Sequence, residues 1–561
     1  MKKMKKPMLL VVSAIVALSA VLAGCSNSGN KNDPKPSASP TASSESTTPE
    51  ETSATAGWVL GEKPLEFTAY AHYGNTDFPE WVSTPAGKWL SEEKQVNLKM
   101  IAAAGAHTQK LSTMMASDEL PEMIWTDRNH PDMERLYEAG KLVAFDDYLD
   151  KYPNLKTWMG DNLNMLRHPD GKLYMFPNWY TSRPNGNAGY VVNKKIYEEL
   201  GSPKLETTDD LYKYLVSVKE KHGDKIIPFE PHRAQDSQGL GVLYTAFGEG
   251  ASYSYLNANL RGVPKDGKLT SVFEDPTFRE AQKYIAKLYR EKLISQDAFT
   301  QTEDIVLEKV MSGRVAVFAG SSPTTMAGEA QAEMIKTDPN GGYFMIWPIH
   351  KEGLDKNKIY PGTYTSFGWN AAYITTAAKD PEAIFAFLDW YTGPEGMNLQ
   401  FFGPEGGNWK GFDENNQPIF TPEYDPAAVA EIQTGNEPVM FVGNTAYIDP
   451  AKYKYMKDLP FEQQDWRTKY QMTITWPTQL DATEFVGLNP SPESEEGIIR
   501  TSVDELYLEI YANSVMSGTS DEEVDKILDQ GNKDLMDLGY QKLLDWRTAR
   551  WQDNLKRLEG N

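Results

Sequence analysis

An α/β fold is predicted for this chain on three observations. From Trp58 onward, short apolar runs alternate with amphipathic helical patterns. Two helix starts, Asp275-Pro276 and Asp380-Pro381, place a capping carboxylate directly before a first-turn proline. The body is also long, about 500 residues, which buries a large apolar fraction and favours division into two or more lobes.

The elements follow in order. Leu65 to Tyr70 reads as the first strand, Val96 to Ile101 as the second and Glu122 to Trp125 as the third. Trp81 to Lys94 is expected as a helix, and Leu111, Met114 and Met115 open another before Pro121. Later strands are expected at Tyr190 to Asn193, Val315 to Phe318, Tyr343 to Trp347 and Ala371 to Thr375. After Asp275-Pro276, the residues Phe278, Ala281, Ile285 and Leu288 share one helical face. After Asp380-Pro381, Ile384, Phe387, Leu388 and Tyr391 do the same. Asp338-Pro339-Asn340-Gly341 reads as a turn.

The N-terminus carries a different signal. Lys2, Lys3, Lys5 and Lys6 precede an uncharged, mainly apolar run from Met8 to Leu22. As a helix that run rises only about 22 Å, short of the ~30 Å hydrocarbon core, so a signal peptide is expected rather than a spanning helix. Leu22-Ala23-Gly24-Cys25 ends it and resembles the lipobox of bacterial lipoproteins, with Cys25 as the lipidated residue. Cys25 is the only cysteine, so its lipidation leaves no thiol for a disulfide, a catalytic nucleophile or a thiolate metal site. Residues 26–56 contain no aromatic residue and no Leu, Ile, Val or Met, and are expected to form a disordered tether. Cleavage before Cys25 removes four lysines and no acid, taking the formal charge from −23 to −27. That charge speaks against nucleic acid as a partner and against polybasic membrane attraction.

From Trp58 to the end, the chain resembles the large extracellular solute-binding lipoproteins of the maltose-binding superfamily, specifically the LplA/LipO-like group of Bacillus and Paenibacillus. Ser117-Asp118-Glu119-Leu120-Pro121-Glu122-Met123-Ile124 is similar to the family's "sgdlPDii", and Pro169 to Pro177 to its "pDGkiYalP" hairpin. Tyr190 to Leu200, Tyr289 to Ile294, Lys309 to Phe318, Asp380 to Gly396, Val515 to Gly518 and Gly539 to Leu544 resemble further family segments in the family's order. The resemblance implies a two-lobe, type II periplasmic-binding-protein-like fold, with a hinge and a ligand cleft between lobes. It implies a signal peptide over 1–24 and the lipidated tether over 25–57. An N-terminal lobe would comprise 58–180 plus about 320–376, and a C-terminal lobe about 181–319 plus 377–561. Hinges would lie near Asn178 to Gly189 and near Ala319 to Pro323; Pro177, Pro184, Gly186 and Gly189 interrupt the pattern there independently. Some relatives carry a calcium loop at the position of Lys219 to Pro228. Here only Gly223-Asp224 remains of it, so no calcium is expected there.

The implied function is capture of a carbohydrate, an oligosaccharide in the leading reading, for the permease subunits of an ABC importer. The protein would be a monomer lipid-anchored to the extracellular face of a Gram-positive membrane. No P-loop, His-Glu-x-x-His or Gly-x-Ser-x-Gly motif is present, and the seven histidines are scattered, so no enzyme activity, cofactor or metal is expected. A secreted glycoside hydrolase or polysaccharide lyase is the first alternative, since two suitably spaced acids need no sequence motif. A non-transport surface lipoprotein is the second.

Sugars offer a flat C–H face to aromatic rings and hydroxyls to planar polar groups. Aromatic residues beside polar ones at strand ends are therefore the candidate ligand contacts. They are His72 and Tyr73 after the first strand, Trp125 and Asp127 after the third, Trp179, Tyr180 and Arg183 at the crossover, and Trp369 and Asn370 before the later strand. Trp179 and Trp369 lead this set, whereas Trp89, Phe387 and Trp390 are expected in the core.

Overall fold

Two β-sheets, each with its own hydrophobic core, organise the chain. A computed structural model describes residues 57–559 apart from 75–77, 129, 181–186 and 458. The expected signal peptide, Cys25, the tether as far as residue 56, and Arg183 therefore lie outside the described residues.

The first sheet begins with β1 (Leu65–Ala71), α1 (Pro85–Lys94), β2 (Val96–Ile101), α2 (His107–Ser117), β3 (Met123–Asp127) and α3 (Pro131–Glu138). The two strands flanking β1 run parallel to it, as helical crossovers require. The helix expected over 81–94 is cut by Thr84-Pro85. Proline holds Thr84 extended, and Trp81–Ser83 forms a separate single turn; Thr84 Oγ1 then caps α1 by accepting the Gly87 N–H at 3.1 Å. Next comes β4 (Phe176–Pro177), at the sheet edge.

The chain then enters the second sheet with β5 (Gly189–Asn193), β6 (Ile227–Pro231), β7 (Val315–Gly320) and β8 (Tyr343–Ile346), in the spatial order β8-β5-β7-β6. It returns with β9 (Asn370–Ile374), which lies antiparallel between β3 and β4. Both Asp-Pro helices form as expected. Asp275 Oδ2 accepts from Phe278 N at 2.9 Å and Asp380 Oδ1 from Ala383 N at 3.0 Å.

Strand pairing redraws the expected lobe division. Tyr343–Ile346 pairs with β5, and helix Pro323–Thr337 packs beside it, so residues 320–346 belong with the second sheet rather than the first. Conversely Ile384, Phe385, Phe387 and Leu388 lie in the first core, so the Pro381–Tyr391 helix returns to the first sheet. Ala319 to Pro323 is the end of β7 and the start of a helix within the second sheet's layer. The chain leaves the first sheet after Pro177 and enters the second at Gly189, within the segment expected as a hinge. It crosses again between the Pro381–Tyr391 helix and the C-terminal helices. The return from β8 to β9, over 347–369, is stitched by a parallel pairing of Gly362–Tyr364 with Gln479–Asp481. The C-terminal helices Glu495–Met516, Asp521–Asp537 and Tyr540–Leu558 close the second core, where Tyr507 stacks on Phe273 at 5.0 Å.

Among the strands of the two main sheets, β6 was not expected. β6 reads Ile-Pro-Phe-Glu-Pro, and its two prolines mask it; as the edge strand of its sheet it tolerates the missing donors. Its buried Glu230 faces the Lys309 ammonium, which also reaches Asp297 at 2.7 Å, Ser295 at 3.0 Å and Gln301. Around 219–228 the chain forms a short turn at Gly223–Lys225 and then β6, while the Lys219 ammonium sits on the Glu291 carbonyl.

Candidate functional site

Parallel strands β1 and β3 end on the same edge of the first sheet, and antiparallel β9 begins there, so the termini of three strands converge. The register pairs Asn370 with Asp127 and Ala372 with Trp125. This convergence brings together Tyr73, Trp125, Asp127, Trp369 and Asn370, which lie up to about 300 positions apart in the chain.

The aromatic members touch. Tyr73 and Trp125 centroids are 5.1 Å apart at 69°, and Trp369 lies 5.9 Å from Tyr73 and 6.5 Å from Trp125. Phe78 stacks on Trp125 at 5.7 Å and 23°, supporting it from the core side. Trp369 is 60% exposed. An indole left in water beside two other rings is a surface with apolar area still to cover.

Polar groups surround these rings. Tyr73 Oη donates to Asp127 Oδ1 at 2.9 Å, and burial, with the Asp127 charge behind it, pushes the phenol pKa far above its ordinary value. Tyr73 is therefore a fixed donor. Trp125 Nε1 is buried without a hydrogen-bond partner among the described residues, as is Asn178 Oδ1. Arg128 is buried next to Asp127, donates from Nη1 to the Gly368 carbonyl at 2.7 Å, and burial lowers its pKa to about 10. Gly368, at φ +67°, lies so close to the Asn178 carbonyl that a Cβ would overlap that oxygen. The turn presenting Trp369 thus needs glycine.

The remaining expected residues separate. Tyr180 is 0% exposed, and its hydroxyl donates to Thr392 Oγ1 at 2.8 Å and accepts from Asn154 Nδ2 at 2.9 Å; it belongs to the first core, not to a ligand surface. Trp179, at φ +49°, is half-buried, edge-on to Phe401 at 5.9 Å, with Gly443 against its ring. His72 is buried, its Nε2 3.0 Å from Asp132 Oδ2, and stands close to His130. His72, His130 and Asp132 form a group able to hold a metal ion, which the wide sequence spacing concealed.

The second sheet adds a polar group that sequence reasoning missed. Parallel β6 and β7 also end together, at Pro231 and Ala319. Beyond them, His232 Nε2 is 3.2 Å from Glu303 Oε1, and Ser321 Oγ donates to Gln238 Oε1 at 2.8 Å. Arg233 and Ser237 both hold positive φ, at 49° and 58°. Two such strained non-glycine residues within five positions are a feature that concentrates at functional sites. The available sequence signal was the polar run directly after Ile227 to Pro231, which went unread because the strand itself did.

The family model described as bacterial extracellular solute-binding protein matches residues 75–398. The chain is 28% identical over 229 residues to the fructooligosaccharide ABC transporter substrate-binding protein FusA of Streptococcus pneumoniae, covering 37% of this chain and 41% of that one. It is 23% identical over 312 residues to lipoprotein LipO of Bacillus subtilis, covering 54% and 60%. The matches thus span less than two thirds of either relative's length. Among solved structures, the alginate-binding protein AlgQ2 superposes with a TM-score of 0.63 at 19% identity, covering 88% of this chain and 98% of that one. This likeness establishes the two-lobe fold.

Proposed function

We infer that this chain, which belongs to the bacterial extracellular solute-binding protein family, captures a carbohydrate of oligosaccharide size and delivers it to the permease subunits of an ABC importer. The observation that carries this reading is the Tyr73–Trp125–Trp369 platform with Asp127 at its edge. Exposed rings accept the C–H face of a sugar, and the exposed Asp127 carboxylate supplies a directional contact to hydroxyls. The names of similar proteins support the same reading: FusA is named for fructooligosaccharide and AlgQ2 for alginate.

The ligand would lie between this edge and the polar group beyond β6 and β7, around His232, Arg233 and Gln238, with the 347–369 passage in the hinge. Trp179, half-buried, remains a ligand contact in this reading, whereas Asn370 is wholly buried, accepts from Asn178 Nδ2 and supports the strand end from within. Lipidation at Cys25 would hold the protein on the extracellular face as a monomer, consistent with a lipoprotein relative.

The test is a thermal-shift screen of the protein against a carbohydrate library, followed by calorimetry on the hits. Stabilisation by RT ln(1 + [L]/Kd), about 2.7 kcal/mol at a hundredfold excess over Kd, is expected for the true ligand. Failure of every carbohydrate to shift the transition would remove the reading. Release of new reducing ends from a bound glycan would replace it with a hydrolase.

A further inference from the structure

We propose that His72, His130 and Asp132 form a binding site for a divalent metal ion of the zinc class, where β1 ends and α3 begins. The three side chains each offer one ligand atom, and these atoms all lie within 4.8 Å of one another. Asp132 Oδ2 is central, 3.0 Å from His72 Nε2 and 3.7 Å from His130 Nδ1. A tetrahedral zinc ion with bonds of about 2.0–2.2 Å holds its ligand atoms roughly 3.4 Å apart, so small side-chain rotations suffice. Two imidazoles with one carboxylate form a donor set suited to this class of ion, and three protein ligands leave a fourth position for water or an incoming oxygen.

The hydrogen bonding within the group points to a cation. His130 caps α3: its Nδ1 accepts the Asp132 backbone N–H at 3.2 Å and so carries no proton. The same nitrogen lies 3.7 Å from the Asp132 carboxylate oxygen, so two acceptors stand side by side with no hydrogen between them. A cation placed there turns this pair into two ligands, and the imidazole gives up the cap hydrogen bond to bind it, since Nδ1 has one lone pair. His72 is 1% exposed, and its Nδ1 has no partner among the described residues, so protein contacts leave the cluster incompletely satisfied. On the far side, Arg135 Nη1 holds Asp132 Oδ1 at 2.8 Å, directing Oδ2 toward the histidines in the manner of an outer-shell partner. The His130 side chain is 24% exposed, which gives an ion an entry path. The site is independent of the carbohydrate reading.

The test uses the full-length protein in detergent, stripped with EDTA and titrated with ZnCl2 by calorimetry, then with Co²⁺ by visible absorption. One ion per chain, ligand-field bands for cobalt and a raised melting temperature with zinc are expected. The deciding variant is His130→Asn, because asparagine preserves the cap of α3 while removing the imidazole ligand. It should melt like the stripped wild type yet bind zinc at least about tenfold more weakly. Absence of stoichiometric zinc binding by the wild type would overturn the proposal, as would unchanged zinc affinity in His130→Asn.

Discussion

Trp369 leaves most of its surface in water while its neighbours are packed, so its removal separates binding from stability. Trp369→Ala is expected to weaken carbohydrate binding by roughly 2 kcal/mol, as loss of an aromatic anchor does, with a nearly unchanged melting temperature. Trp409 supplies the contrast. It is buried and donates to the Gly403 carbonyl at 2.8 Å, so Trp409→Ala is expected to cost about 3–5 kcal/mol of stability and little affinity. Parallel titration and melting of both variants decide this; a Trp369→Ala protein that melts early but binds normally would make that ring scaffold. Lys309 answers a different question. Its ammonium is enclosed by Glu230, Asp297, Ser295 and Gln301, and Glu230 is wholly buried. Lys309→Met strands that carboxylate, and a loss of about 3–5 kcal/mol in denaturant unfolding is expected. Replacing both residues by apolar ones of similar volume should recover most of the loss, since the pair's desolvation cost disappears with its attraction.

The elements packed around Trp179 set what its ring does. Its nearest support is Gly443, where a Cβ would stand 2.5 Å from the ring. Gly443→Ala is therefore expected to push the indole out of place and to destabilise by about 1–3 kcal/mol, with a shift in tryptophan emission. Unaltered stability and emission would mean that the ring already moves freely. At this scale the sequence was legible wherever periodicity and caps were strong. Val96 to Ile101 was placed without error, and both Asp-Pro helices began where their caps are, because these signals are local. It was not legible at β6, where Pro228 and Pro231 imitate a loop and only the edge position in the sheet makes a strand possible. Nor did it place β8 and the Pro381–Tyr391 helix in the right lobe, since an amphipathic face does not say which core it covers.

On the scale of the whole molecule, the proposed lipidation of Cys25 can be tested apart from ligand capture. Among the described residues no helix is long and apolar enough to cross a membrane. Cys25→Ala is expected to release the protein into the medium, because the proposed anchor is its acyl chains, and two or more such chains hold firmly. Continued membrane association of a correctly processed Cys25→Ala protein would show that another contact anchors it. Ligand capture by the released protein should be unchanged, since the platform and both cores lie within 57–559.

The sequence by itself determined the α/β class, the order of most elements and the family resemblance. These rest on local hydrophobic period, caps and segment order, all carried along one dimension. It also pointed to the strand ends where Tyr73, Trp125, Asp127 and Trp369 meet, because a strand end beside polar residues is readable without knowing its neighbours. Only the tertiary structure decided that Tyr180 belongs to the core, that Trp179 rests on Gly443, and that Asn178 stands beside Asn370. Only it brought His72 to His130 and Asp132 across about sixty positions, and set His232 and Arg233 at the end of an unforeseen strand. Each of these depends on which strands pair and in what register, and pairing is fixed by the burial of faces contributed by distant segments.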